Sequence, residues 1–134
     1  MKGPFTFSRE ERLTGKSGID QLFNEGKSFN LYPFRVFYIP AENPAEPAAR
    51  LLIAIPKKKV KHAVDRNRLR RLVREAYRLH KAGFLAIRDT IPAKLHIALI
   101  FTGDKTDLKF KEVEMKIIEC LAKLGKIIGS ESGK

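Results

Sequence analysis

The sequence lacks the cysteines and the long apolar segments that two large classes of protein require. Cys120 is its single cysteine, so no disulfide can form within the chain, and a disulfide-stapled secreted fold is excluded. No apolar run approaches the ~20 residues that cross a bilayer. The first ten residues contain no apolar core of the signal-peptide type. Together these absences predict a cytoplasmic protein with no membrane partner.

Side chains that could perform catalysis are also scarce. The histidines are His62, His80 and His96, and no histidine or cysteine pair has the spacing of a zinc site. His62 and His80 would lie about 27 Å apart on one helix, so they cannot share a metal or a substrate atom. No serine or cysteine nucleophile pattern occurs. We therefore predict no catalytic residue and no intrinsic cofactor, leave metal binding open, and interpret His96 and Cys120 as core residues.

Acidic residues are few compared with basic ones. The chain has 15 Asp and Glu against 27 Lys and Arg, which gives a formal net charge of +12. Lys57–Lys81 holds eleven Lys or Arg against two acids, and so contributes +9 of this charge. Charge of this density predicts a nucleic acid as partner. At 134 residues we expect one domain over residues 1–134, with flexible ends at about 1–8 and 129–134.

Hydrophobic periodicity predicts elements in the order α, one or two β, β, α, β, α, and with two strands at the second place the order is α-β-β-β-α-β-α. Helices are expected over Lys16–Glu25, His62–Ala82 and Asp107–Ile128, and strands over Tyr32–Ile39, Arg50–Ile55 and Leu95–Phe101; a further short strand at about Lys27–Leu31 is left open. Gly26 and Gly129 stand where glycine commonly ends a helix. Pro40–Pro47 has the composition of a loop, and residues 5–14 are expected to be irregular. The strand–helix–strand sequence across residues 50–101 predicts parallel pairing through a helical crossover.

The second predicted helix has an apolar side and a cationic side. At 100° per residue its apolar residues gather within about 60°: Leu69, Leu72, Val73 and Ala76. Arginines repeat at i, i+4 with one acid, Glu75, in the run: Arg66, Arg70, Arg74 and Arg78. A solvated surface helix is the ordinary alternative, but such like charges repel. Arginine also suits bidentate phosphate contact, so we predict a phosphate-binding face.

The basic segment closely resembles the RNR motif of the bacterial ribonuclease P protein subunit. The resembling string is Lys58-Lys59-x-x-x-Ala63-Val64-x-Arg66-Asn67-Arg68-x-Arg70-Arg71-x-x-Arg74-Glu75. Upstream, the first helix and the next strand of that family are matched by Arg12-Leu13, Ile19, Phe23, Gly26 and Phe34-Arg35-Val36-Phe37. The resemblance covers about residues 9–125. It is weaker after the last strand, where the family often has a basic residue and this chain has Ile100-Phe101-Thr102-Gly103.

The resemblance implies a fold and a function. The fold is α/β of the two-layer α+β kind, with a four-stranded sheet and a left-handed βαβ crossover that carries the RNR helix. The function is that of a subunit of ribonuclease P, an endoribonuclease whose large RNA performs hydrolysis with RNA-bound Mg²⁺. The implied partners are that RNA and precursor tRNA, whose 5′ leader the protein holds. No obligate protein partner is expected, and the protein alone is expected to be inactive.

The same resemblance assigns residues to two surfaces. The RNA-binding set is Lys58, Lys59, Arg66, Asn67, Arg68, Arg70, Arg71, Arg74 and Arg78. The leader cleft is lined by Ile19, Phe23, Arg35 and Phe37. Strand alternation places Arg35 and Phe37 on one face, which fits a platform for unpaired bases, although a core position for Phe37 is the alternative. Asn67 could bind phosphate, orient a hydrated Mg²⁺, or form a hydrogen bond near the helix start.

Two other functions fit parts of the sequence. A stand-alone structured-RNA-binding protein associated with the ribosome would also be basic, but the chain lacks the aromatic strand signature of an RNA-recognition motif. A protein-only nuclease would need clustered carboxylates or histidines, which this sequence does not provide. Copurification of a structured RNA of a few hundred nucleotides would favour ribonuclease P over the first alternative.

Overall fold

A computed structural model describes residues 12–13, 15–41, 49–88, 94–103 and 106–132 of the chain. Within them lie three helices and four strands, in the order expected from the sequence. Their bounds are α1 Lys16–Glu25, β1 Lys27–Leu31, β2 Phe34–Ala41, β3 Ala49–Ala54, α2 Ala63–Arg88, β4 Lys94–Phe101 and α3 Phe110–Ser132. None of the described helices is long and apolar enough to cross a bilayer.

The strands form one mixed sheet in the spatial order β1-β2-β4-β3. β1 pairs with β2, and β2 with β4, in antiparallel register. β3 and β4 pair in parallel register from Ala49 opposite Leu95 to Ala54 opposite Ile100. Since α2 connects these two strands, the predicted parallel crossover and the α+β architecture are confirmed.

Two helices cover one face of the sheet and enclose the main core. Alternate residues of β2 and β4 enter it, as strand geometry requires: Phe34, Val36, Tyr38, Leu95, Ile97, Leu99 and Phe101. The helices add Leu69, Val73, Ala76 and Tyr77 from α2, and Val113, Ile117, Cys120, Leu121 and Leu124 from α3. The apolar side predicted for the basic helix is therefore the side that packs on the sheet.

The short helix α1 covers part of the opposite sheet face. Leu13 and Leu22 are buried against Ala98 of β4. α1 ends at Gly26, whose N–H donates to the Leu22 carbonyl oxygen at 2.9 Å. A Cβ at Gly26 would lie 2.3 Å from that oxygen, so glycine is needed for close approach and not for a left-handed conformation. The predicted helix over Lys16–Glu25 and its glycine stop are confirmed.

The ends predicted for the two long helices were partly wrong. α2 was expected to stop at Ala82 but continues to Arg88. Gly83 costs about 1 kcal/mol inside a helix, which does not end it when no proline follows directly. α3 was expected to begin at Asp107 and to stop at Gly129, but it begins at Phe110 and runs through Gly129 to Ser132. A lone glycine is tolerated there for the same reason.

The strand β2 differs from its prediction at both ends. Tyr32 and Pro33, joined by a cis peptide bond, belong to the turn that precedes it. At its other end Pro40 and Ala41 extend the strand by pairing with β4, so the expected loop at Pro40–Pro47 begins later. β1 pairs with β2 only as far as Tyr38, so the missing N–H of Pro40 breaks no ladder on that side. Residues 42–48 lie outside the described part of the chain.

Candidate nucleic-acid interface

The side of α2 that faces away from the sheet carries the arginines. Arg71 is exposed, while Arg70 and Arg74 are half-buried. Lys58 and Lys59 are exposed in the turn that leads into α2. These five cations are the members of the predicted RNA-binding set whose charged ends are not tied, in the described contacts, to a backbone carbonyl or a carboxylate. They make one cationic surface at the beginning of α2.

Two arginines of the RNR string hold the protein backbone. Arg66 donates through Nη1 to the carbonyl oxygens of Val60 and Lys61, at 3.0 and 2.9 Å. Arg68 donates to the carbonyl oxygen of Thr106 at 3.1 Å and also to that of Leu108. Arg66 thus closes the loop before α2, and Arg68 ties α2 to the segment before α3. The prediction that both arginines bind RNA stays untested, but their described partners belong to the protein.

Asn67 and Arg78 also have partners within α2. The Oδ1 atom of Asn67 accepts a hydrogen bond from Arg70 at 3.1 Å, which favours the third of its predicted roles, a hydrogen bond near the helix start. Arg78 forms an ion pair with Glu75. Hydrogen bonding to Arg78 lowers the pKa of Glu75, and the same hydrogen bond raises the pKa of Arg78. The pair neutralises much of the charge at this end of the predicted face.

A groove of about 160 Å³ opens between α2 and the outer edge of β3. We call it the arginine groove; it is lined by Arg12, Leu13, Leu51, Leu52, Ile53, Arg70 and Arg74. The pKa of Arg74 is lowered, first by burial and then by repulsion from Arg12 and Arg70. Arg12 was not among the predicted site residues. Its place depends on a bridge to Leu51, 39 residues further along the chain, which no local sequence pattern signals.

The four residues predicted for the leader cleft lie together on the sheet face that carries α1. We call them the aromatic surface: Ile19, Phe23, Arg35 and Phe37. The rings of Phe23 and Phe37 meet edge to face, with centroids 4.9 Å apart. The guanidinium carbon of Arg35 lies 5.3 Å from the Phe37 ring centroid. Phe23 is exposed, and Phe37 is half-buried and packs against the cluster of Leu13, Leu22 and Ala98. The Phe37 ring is therefore not fully enclosed, and its predicted role in leader binding stays a prediction.

The chain after β4 packs against the β1–β2 turn. The Thr102 N–H donates to the Pro33 carbonyl oxygen at 2.7 Å. A Cβ at Gly103 would lie 2.8 Å from the Cβ of Pro33, so glycine allows this close contact. The segment after β4, where the sequence resemblance is weakest, is therefore packed against this turn.

The remaining chemically competent groups are accounted for by the fold. His96 and Cys120 are buried, as predicted. Burial raises the pKa of Cys120 to about 12, so the thiol is inert near neutral pH. His80 pairs with Glu114 at 2.8 Å and links α2 to α3. Among the described residues, no group of three or more His, Cys, Asp or Glu side chains could hold a metal ion.

The fold and its surfaces define the class of protein: a small α+β domain whose parallel crossover is a cationic helix beside an aromatic sheet face. Comparison with protein families identifies the particular one. The model of the Ribonuclease P family matches residues 7–125, which is most of the chain. The chain therefore belongs to the ribonuclease P protein family.

Curated relatives carry the same name. A "Ribonuclease P protein component" from Porphyromonas gingivalis is 45% identical over 83 residues, and the match covers 60% of this chain. It spans 61% of the length of that relative. Another, from Dictyoglomus thermophilum, is 33% identical over 124 residues, with 92% of this chain and 95% of the relative covered.

Solved structures of the family have the same fold. The ribonuclease P protein from Thermotoga maritima matches with a TM-score of 0.66 and 28% identity, over 84% of this chain and 96% of that one. The protein from Staphylococcus aureus matches with a TM-score of 0.67 over 88% of this chain and 97% of that one. At 22% identity, the second similarity concerns the fold alone.

Proposed function

We propose that this protein is the protein subunit of ribonuclease P, the RNA–protein endoribonuclease that removes the 5′ leader of precursor tRNA. The observation that carries the proposal is the family match over residues 7–125, because this range contains both the cationic surface and the aromatic surface. The protein binds RNA and positions the substrate, and the RNA partner performs the hydrolysis.

The two surfaces have different tasks in this proposal. The cations at the beginning of α2 neutralise phosphates of the ribonuclease P RNA, which is the main source of affinity in protein–RNA binding. The aromatic surface offers ring faces to the unpaired bases of the leader, and Arg35 beside Phe37 adds a cationic contact. A leader bound there would enter the cleft as single-stranded RNA.

Mg²⁺ belongs to the RNA in this proposal. The described residues provide no cluster of metal ligands, and the cationic surface would repel a divalent ion. The protein can nevertheless reduce the Mg²⁺ requirement, because arginine and lysine side chains neutralise phosphates that metal ions would otherwise screen. This predicts that the protein matters most at low Mg²⁺.

Reconstitution tests the proposal. The protein is mixed with a bacterial ribonuclease P RNA, and cleavage of precursor tRNA is measured as Mg²⁺ is lowered. We expect cleavage at low Mg²⁺ with both components and none with the protein alone. Absence of stimulation, together with copurification of an RNA of a different kind, would instead identify a stand-alone RNA-binding protein. Cleavage by the RNA-free protein would identify a protein nuclease.

A further inference from the structure

Three guanidinium groups line the arginine groove, and no carboxylate is among its described lining residues. Arg70 and Arg74 lie one helical turn apart on α2, and Arg12 comes from a different segment. Burial and the two neighbouring arginines lower the pKa of Arg74, which means that its positive charge is stabilised less than that of an arginine in water. An anion in the groove would remove this repulsion.

Arg74 also has an unused donor. Its Nε atom is buried and has no hydrogen-bond partner among the described residues. Buried polar groups are nearly always paired, and one that is left unpaired costs stability. A ligand oxygen in the groove would satisfy it. The apolar floor formed by Leu51, Leu52 and Ile53 lowers the local dielectric, which strengthens such a charge-assisted hydrogen bond.

The backbone at Arg12 is fixed by the fold. Arg12 forms a parallel bridge with Leu51, and the N–H of Leu13 donates to the Leu51 carbonyl oxygen at 2.9 Å. The side chain of Leu13 is buried beneath α1. These contacts hold the backbone of Arg12 beside β3, so less backbone freedom is lost when a ligand binds.

The groove and the aromatic surface lie two strands apart on the sheet, with Ala98 of β4 buried between them. Phe37 lies opposite Ala98 in the β2–β4 register, and Ala98 lies opposite Leu52 in the β3–β4 register. Adjacent strands are about 4.8 Å apart, so the backbones at Phe37 and Leu52 are separated by about 10 Å. A single RNA strand with a base on Phe37 can therefore place a nearby phosphate in the groove.

We propose that Arg12, Arg70 and Arg74 together bind one RNA phosphodiester, so that Arg12 is an RNA ligand contributed from outside the RNR helix. This rests on the proposed function. The phosphodiester can come from the leader of precursor tRNA or from the ribonuclease P RNA. The distance to Phe37 favours the leader, and the experiment separates the two sources.

The test uses the reconstituted holoenzyme with charge-matched variants. Arg12→Gln removes one positive charge at the groove, and Lys111→Gln removes one at an exposed position on α3. Dissociation constants are measured for precursor tRNA, for mature tRNA and for protein binding to ribonuclease P RNA. We expect Arg12→Gln to weaken precursor binding about tenfold and to leave mature tRNA unchanged. An equal loss in protein–RNA assembly alone would assign the phosphate to ribonuclease P RNA.

Salt dependence separates a phosphate contact from a structural role. Arg12→Gln should reduce the slope of log K against log salt, but by less than the roughly 0.7 of one whole phosphate of a single strand, because Arg70 and Arg74 still contact the phosphate. Arg12→Lys keeps the charge and should keep the slope. If Arg12→Gln behaves as Lys111→Gln in both affinity and slope, the proposal is overturned. If the wild-type protein binds neither RNA, the proposed function itself fails, which is a different result.

A double-mutant cycle tests whether the arginines share a ligand. When two side chains contact one phosphate, the loss from Arg12→Gln combined with Arg74→Gln should be smaller than the product of the two separate losses. If the two losses of affinity multiply as they do for independent sites, the arginines do not share a phosphodiester and the proposal is overturned. Urea unfolding of each variant without RNA shows whether the fold is retained.

Discussion

At the scale of single residues, the RNR string serves two different purposes. Arg66 and Arg68 donate to backbone carbonyls of the protein, whereas Arg70, Arg71 and Arg74 face outward or into the arginine groove. An alignment would score all five as one cationic motif. Arg66 and Arg68 therefore hold the backbone that supports the cationic surface, whereas Arg70, Arg71 and Arg74 provide its charged groups.

Substitution of Arg68 should therefore act on the stability of the fold. Arg68→Ala leaves the half-buried carbonyls of Thr106 and Leu108 without their donor, and we expect it to lower the free energy of unfolding by about 2 kcal/mol. Arg71→Ala is the control: Arg71 is exposed, so unfolding should change by less than about 0.5 kcal/mol while RNA affinity falls. Urea denaturation measures both, and similar unfolding curves for the two variants would contradict this division.

Phe37 provides a test of the aromatic surface. Base stacking on an aromatic ring contributes about 1–3 kcal/mol, so Phe37→Ala should weaken holoenzyme binding to precursor tRNA by about tenfold or more and leave mature tRNA, which has no leader, nearly unchanged. Phe29→Ala is a matched control, because Phe29 packs on the opposite face of the sheet. It should reduce stability without discriminating between the two tRNAs. Equal losses for both substrates with Phe37→Ala would mean a packing role instead.

Residue roles were predictable from the sequence where they depend on neighbours along the chain. Strand alternation correctly separated Phe34 from Phe37, and the helical period correctly chose Leu69 and Val73 for the core. The anchoring role of Arg68 was not predictable, because its partners lie 38 and 40 residues away. Contacts of this kind depend on how α2 and α3 are packed, which periodicity does not describe.

At the scale of elements, the cations at the beginning of α2 predict the electrostatics of the proposed RNA binding. With Arg12 included as proposed, six cations meet four phosphates, because Arg12, Arg70 and Arg74 share one while Lys58, Lys59 and Arg71 contact one each. At about 0.7 per phosphate of a single strand, they predict a log–log salt slope near −3 for binding to ribonuclease P RNA and leader together. Arg71→Ala should reduce it by about 0.7, and Arg70→Ala or Arg74→Ala by less, because two arginines still contact the shared phosphate. An affinity that does not change with salt concentration would show that this helix is not the binding surface.

The helix α1 offers two glycines with opposite expected effects. Gly18 lies inside the helix, and an added Cβ would make an ordinary 3.7 Å contact with Leu13. Gly18→Ala should therefore stabilise the protein by about 0.5–1 kcal/mol. Gly26→Ala would place its Cβ 2.3 Å from the Leu22 carbonyl oxygen and should lower the melting temperature. Thermal melts of the two variants compare them directly, and a shift of the same sign in both would contradict the geometry at Gly26.

Elements were predicted well in kind and less well in extent. The order, the parallel pairing of β3 with β4 and the bounds of α1 agree with the structure, and β1 is present where the pattern left a strand open. The late start of α3 could not be read from the amphipathic pattern, which includes Asp107 and Leu108 equally well. The carbonyl oxygen of Leu108 accepts a hydrogen bond from Arg68, and the N–H groups of Glu112 and Val113 donate to the carbonyl oxygen of Lys109. A tertiary contact thus determines where this helix begins.

At the scale of the whole molecule, the single cysteine reports on the integrity of the fold. Cys120 is buried and burial raises its pKa from 9.0 to about 12. At pH 8 the folded protein should react with iodoacetamide roughly a thousandfold more slowly than the urea-unfolded chain, since the thiolate is the reactive form. Between pH 9 and about 12 the unfolded state loses the proton first, so stability should fall as pH rises. Equal alkylation rates would mean that α3 opens readily.

The position of β4 has a consequence for the growing chain on the ribosome. β4 lies between β2 and β3, although it follows both in sequence and is separated from β3 by the whole of α2. A nascent chain that has not yet delivered Leu95–Phe101 therefore lacks the middle strand of its sheet, and the apolar side of α2 lacks the β4 residues of its core. During synthesis the basic helix α2, with its apolar side, is therefore exposed to solvent before β4 can pack against it. The sheet can then assemble in one late step, once the strand that joins its two halves emerges.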